Sequence, residues 1–281
     1  MKGFSFRTSI TVLISGLLLA GCGSGVKEAK IAFKFELGQK QQYTNEVKIS
    51  AQIYDNAGKL TNTSNLSYRS TLYEEVISPA DSSRARIRLT DIVNSPNPSG
   101  SAFAADSITH KWSIECLMGA NGKVLDIYPG DSISPDLLNF YKNYYEQALP
   151  VFPEQPVKEG DSWRQTIHLL VRKEGVKKAE TEYKVRSFVR EGGYDCAVIE
   201  YKGNMILPFQ GVEKDGGLVV KLERVNTKGV IYFAYHEGLI IRQQETYNSQ
   251  NEGSRTSGGE VKSFRVISER ISTTSLVNPG T

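Results

Sequence analysis

The sequence predicts a mainly β, antiparallel protein: two similar curved-sheet halves, as in a half-barrel or a sandwich, with one amphipathic helix between them. Three observations carry this expectation. Apolar residues recur with period two along much of the chain, tight-turn signals separate the periodic runs at short intervals, and a single segment switches to helical spacing. Parallel strands need long crossovers, for which such short connections leave no room.

The strands are read first. Residues 42–54 place Tyr43, Val47, Ile49, Ala51 and Ile53 on one parity, and residues 84–92 repeat the pattern with Ala85, Ile87 and Leu89. Half-buried strands alternate in this way. The turns fall at Asp55-Asn56-Ala57-Gly58, Ala120-Asn121-Gly122, Glu191-Gly192-Gly193, Asp215-Gly216-Gly217 and His236-Glu237-Gly238. Each half closes with a hairpin, 112–128 around Asn121-Gly122 and 230–247 around Glu237-Gly238, which is why the two halves look like copies in pattern.

The helix is expected over 134–149. Ser134 is a natural N-cap, Pro135 suits the first helical position, Asp136 complements the dipole and Pro150 stops the run. Leu137, Leu138, Tyr141, Tyr144, Tyr145, Ala148 and Leu149 form an apolar and aromatic stripe, with Lys142, Asn143 and Glu146 opposite. After it, residues 150–159 hold three prolines and read as an extended linker. The expected organisation is therefore a first β half over 31–149 that ends in the helix, the linker over 150–159, and a second β half over 160–281.

Residues 1–21 read as a signal peptide. Lys2 and Arg7 precede an apolar stretch over 10–20 that is too short for a permanent membrane span. It runs into Leu19-Ala20-Gly21-Cys22, the pattern of a bacterial lipobox, so Cys22 is the expected lipidation site and 22–30 the lipidated tether. Diacylglycerol on the cysteine sulfur, with a further palmitate-like chain on the new amino terminus, gives stable anchoring where a single chain would not. The expected address is the cell envelope, with the membrane as a partner through that anchor. Gly23 is not the Asp of an inner-membrane retention signal, so the outer membrane is favoured if the source is Gram-negative.

Composition limits the remaining options. A hydrophobic fraction of 39% suffices for a core, and loss of Lys2 and Arg7 with the signal peptide takes the formal charge from +3 to +1, which gives no reason to expect nucleic acid as a partner. His110, His168 and His236 have no second ligand at metal spacing, and no nucleophile elbow surrounds Ser162 near His168. No enzyme activity, metal or cofactor is expected. Cys116 and Cys196 leave two alternatives open, a disulfide between the halves or two buried thiols.

The lipobox, the run Leu37-Gly38-Gln39-Lys40-Gln41-Gln42-Tyr43 and the central Pro156-Val157-Lys158-Glu159-Gly160-Asp161-Ser162-Trp163 together resemble a family of bacterial lipoproteins of unknown function. The resemblance spans most of the mature chain and implies no activity. The order of a curved sheet and an apolar helix also resembles the periplasmic lipoprotein-carrier half-barrels, a likeness of order without a shared motif. Within the central motif, Gly160 and Asp161 should make the turn and Trp163 should anchor the core.

Two functional expectations follow. The first is a non-enzymatic lipoprotein that binds a lipid or another apolar ligand against the helix, with Leu137, Leu138, Tyr141, Tyr144, Tyr145 and Leu149 facing it, unless the same stripe simply completes the core. The second is an interaction module for an envelope protein or a glycan, supported by long polar strands such as 65–75 and by the Ser/Gly/Asn-rich segment 248–259, which reads either as a mobile loop or as a plain hairpin connection.

Overall fold

Period-two alternation assigns each strand one face for the core and one for water. A computed structural model describes residues 28–81, 83–94, 109–131, 133–171, 175–212, 217–257 and 259–277. The signal peptide expected over 1–21 and the lipidation expected at Cys22 lie outside the described residues. The first strands are β1 (Glu28–Ala29), β2 (Lys40–Tyr54), β3 (Leu60–Asp81), β4 (Arg84–Asn94), β5 (Thr109–Gly119) and β6 (Val124–Pro129). Helix α1 (Pro135–Ala148) follows, then β7 (Val157–Lys158), β8 (Ser162–Val171), β9 (Gly175–Glu191), β10 (Tyr194–Val212), β11 (Leu218–Ala234), β12 (Leu239–Ser257) and β13 (Glu260–Leu276).

The chain is mainly β and antiparallel. Eleven strands form one sheet in the order β6-β5-β4-β3-β2-β13-β12-β11-β10-β9-β8. The runs β2–β6 and β8–β13 are each an antiparallel meander, and the first strand of one pairs with the last strand of the other, Ile49 opposite Arg270. Strands β6 and β8 are the two edges, so the sheet does not close into a barrel. Register shifts at Val198/Ile199 in β10 and Tyr232/Phe233 in β11 add bulges, which bend a sheet and increase its twist.

Helix α1 lies across one face of the sheet and touches both β6 and β10. Ser134 caps it, its Oγ accepting from the Leu137 N–H at 3.3 Å. On the β10 side, buried Gln147 donates to the Ile206 carbonyl at 2.9 Å and accepts from the Ile206 N–H at 2.8 Å. That pair of bonds satisfies a backbone unit of β10 and locks the helix to the sheet. On the other side Lys142 reaches Asp126 at 3.7 Å.

The linker is a packed strap. Phe152 is 2% exposed, and Val157–Lys158 pair with Glu28–Ala29 in a separate two-stranded ladder. Residues 28–30, read from sequence as the end of the tether, are thus part of the fold, because Ala29 and the neighbouring Ile31 are buried against the same cluster. In the central motif, Gly160 has φ 89°, the Asp161 carboxylate accepts from the Lys158 N–H at 3.0 Å, and the Trp163 indole donates to the Val151 carbonyl at 2.9 Å. The tryptophan therefore pins the strap onto β8.

Two readings left open by the sequence are decided. Residues 248–257, read as part of a mobile loop or of a plain hairpin connection, are the turnward end of β12 in its hairpin with β13 and pair on both sides, Gln250 with Arg224 and with Ile267. Their polarity suggested a loop, yet ladder pairing satisfies the backbone whatever the side chains are. Cys116 and Cys196 are both free and buried. They occupy different core clusters, on strands with six others between them in the sheet, so a disulfide lacks the close approach it needs.

Candidate ligand cavity

The helix faces the sheet with two stripes of side chains. Leu138, Tyr141, Tyr145 and Leu149 pack toward β3–β6, against a cluster that includes Ile87, Leu89, Ile114 and Cys116. Phe140, Tyr144 and Ala148 pack toward β10–β12, against Met205, Leu207, Val225 and Tyr247. Each stripe follows the i, i+3, i+4 spacing of one helix side. Where they diverge, the helix bridges the sheet without filling the space below, and a cavity of about 480 Å³ remains. That volume lies within the range of small-molecule sites. Two hollows of about 750 and 550 Å³ on the outer face are shallower troughs between neighbouring strands, lined by outward residues such as Gln52, Glu269, Lys202 and Thr246.

Of the residues expected to face a ligand, Tyr141, Tyr144, Tyr145 and Leu149 line the cavity. Leu137 and Leu138 do not, because the first helical turn lies beyond the cavity's end, where Leu138 completes the β3–β6 cluster. Phe140 was missed from the stripe and belongs to the lining, as does Ala148. Phe140 sits on the second stripe, which a single-face reading of the helix does not separate from the first.

The floor of the cavity is polar at its centre. Glu245 of β12 accepts from Tyr201 at 2.8 Å, Tyr247 at 2.8 Å, Gln243 at 3.0 Å and Ser272 at 2.8 Å. Arg270 of β13 lies 3.8 Å from the same carboxylate and 4.9 Å from the centre of the Tyr247 ring. Burial works against its charge, but Tyr144, Tyr247 and Glu245 outweigh that, so the guanidinium stays charged. Tyr201 reaches Glu245 because its ring lies over Gly229, where a Cβ would come within 2.6 Å of the phenol oxygen. Four donors and a cation leave this carboxylate fully partnered, so it braces the floor.

Glu74 of β3 is different. It lines the cavity and has no hydrogen-bond or ion-pair partner among the described residues, and burial alone raises its pKa to about 7. Asp91 of β4 also lines it, and its Oδ1 is buried without a hydrogen-bond partner. Burial raises the Asp91 pKa, against the opposing effects of Ser70, Arg270 and the Ile92 N–H. Cys116, also in the lining, has its thiol pushed up to about 12 by burial and by Glu74, which leaves it protonated and unreactive.

No family model matches the chain, and no curated protein does. Among solved structures, one described as "Asymmetric conductivity of engineered proteins" aligns with 85% of this chain and 99% of its own, at 9% identity and a TM-score of 0.21. A likeness at that level carries no argument about fold or function.

Proposed function

We propose that this chain is a membrane-anchored envelope lipoprotein, without catalytic activity, that holds a lipid or other apolar ligand in the cavity beneath α1. The cavity carries the reading. It is bounded by aromatic and aliphatic side chains from both the helix and the sheet, Tyr141, Tyr145, Leu72, Leu89, Met118 and Leu149 among them. Such a lining gains free energy by removing apolar ligand surface from water, roughly 25 cal/mol per Å². The lipobox ending at Cys22 supports the address, with the outer membrane favoured if the source is Gram-negative.

The test is native mass spectrometry and solvent extraction of the purified chain, alongside uptake of a hydrophobic dye. The wild type is expected to release an extractable lipid and to take up dye. Ala148→Phe, which places a ring in the cavity, should do neither while still unfolding cooperatively. A wild-type chain that carries no lipid and takes up no dye would overturn the reading.

A further inference from the structure

Beside a carboxylate as fully partnered as Glu245, an unpaired carboxyl in the same cavity calls for an explanation. Burying one without a partner is costly, and the usual remedy is a hydrogen bond or a counter-charge. Glu74 has neither among the described residues, and Asp91 keeps one buried oxygen unpaired. The strand register brings these two groups together. Glu74 lies opposite Leu89 and Asp91 opposite Leu72, so the two acids are diagonal neighbours on the inner face of β3 and β4. Diagonal neighbours in an antiparallel pair have backbones about 7–8 Å apart, so both acids border the same stretch of the cavity.

The surrounding groups favour a cation over other heads. Trp112 lies opposite Asp91 in the register, its ring stacks on Tyr141 at 4.4 Å, and Tyr141 is 5.9 Å from Tyr145. Aromatic rings beside carboxylates recur where proteins hold ammonium groups, because the ring face carries partial negative charge. The titratable groups that feel Glu74 are Tyr43 of β2 and Cys116 of β5, and Asp91 of β4 and Tyr145 of α1 share its cavity lining, none of them cationic. Arg270 faces Asp91 from β13 but is balanced by Glu245. Its Nε is also unpaired, yet its charge is already satisfied.

We propose that the occupant of the cavity is an amphiphile with a cationic head, in chemical terms an alkylammonium, whose charge sits between Glu74 and Asp91 beside Trp112 and Tyr141 while its apolar body lies under α1. This rests on the cavity being a binding site, as proposed above, and adds the class of ligand.

The experiment is calorimetric titration of the full chain carrying Cys22→Ser, so that its own lipid does not compete, with decyltrimethylammonium, decanol and decyl sulfate. The ammonium is expected to bind at least tenfold more tightly than decanol, with the sulfate weakest. Glu74→Gln and Asp91→Asn, made separately, should each remove most of the ammonium preference and leave decanol binding within about twofold. If decanol binds as tightly as the ammonium, or if neither variant changes their ratio, the cationic head is wrong while the cavity reading survives. If none of the three binds, both readings fall.

Discussion

The two wings of the sheet share a face and a strand pattern but end up differently filled. On the β8–β11 wing the inner face is packed solid. Phe233 is fully buried, with Phe152 at 4.8 Å and Phe33 at 5.3 Å from its ring, and Trp163 stacks on Tyr183 at 5.3 Å. The filler comes from outside the sheet, from the strap around Phe152 and the N-terminal segment carrying Ile31 and Phe33. On the β3–β5 wing the covering elements are the helix and, at one end, Phe33 and Phe35, and space remains beneath the helix that extends across β2 and β13 to Met205 and Val225. An extended strap can follow the sheet surface, whereas a helix is a rigid cylinder that meets a curved sheet along limited lines. The unpaired acids, Glu74 and Asp91, lie on the wing that is left open.

The contrast should be largest in core truncations. Phe233→Ala in the packed wing should cost about 3–5 kcal/mol by urea unfolding, because the surrounding rings cannot collapse into the hole. Leu72→Ala, beside the existing cavity, should cost no more than about half of that, since part of the side chain already faces open space. Equal losses would mean that the two wings are packed alike.

Glu74 sharpens the comparison through pH. Its folded pKa of about 7 lies above the ordinary value of 4.5. Between these values the folded state keeps a proton that the unfolded chain has lost, so stability falls as pH rises through that window and stays lower above it. At about 1.4 kcal/mol per pH unit the loss is roughly 3 kcal/mol. Glu74→Gln, which cannot ionise, should therefore be more stable than wild type at pH 8 by up to about 3 kcal/mol, and indistinguishable from it near pH 4. Chemical unfolding at the two pH values measures this, and a variant no more stable at pH 8 would show that Glu74 has a partner.

The smallest effect concerns what holds the helix over the open wing. Gln147→Ala removes both bonds to Ile206 and should cost about 2 kcal/mol. Amide hydrogen exchange should then quicken in α1 while the β8–β11 strands stay protected. Uniform acceleration across the sheet would mean that helix and sheet open as one unit.

Much of this architecture was legible locally. Ser134, Pro135 and Pro150 mark the helix ends, and alternation in residues 42–54 and 84–92 marks β2 and β4, because capping and strand burial depend on residues close in sequence. Strand β12 was left undecided over 248–257 because its inner positions, such as Ser249, face a polar floor, and no apolar alternation announces it. Gln147 looked like any polar helix residue, and only its meeting with Ile206, 59 positions away, gives it a role.

Local sequence was enough for the antiparallel β class and for the single helix with its cap and aromatic side chains. Long-range packing settled that the two strand runs join through β2 and β13, that the sheet is filled under the strap but not under the helix, and that Glu74 and Asp91 line one cavity. The reason is physical. Periodicity and capping are set within a few residues, whereas a cavity is the mismatch between surfaces brought together by long-range register, and no short stretch of chain carries that information.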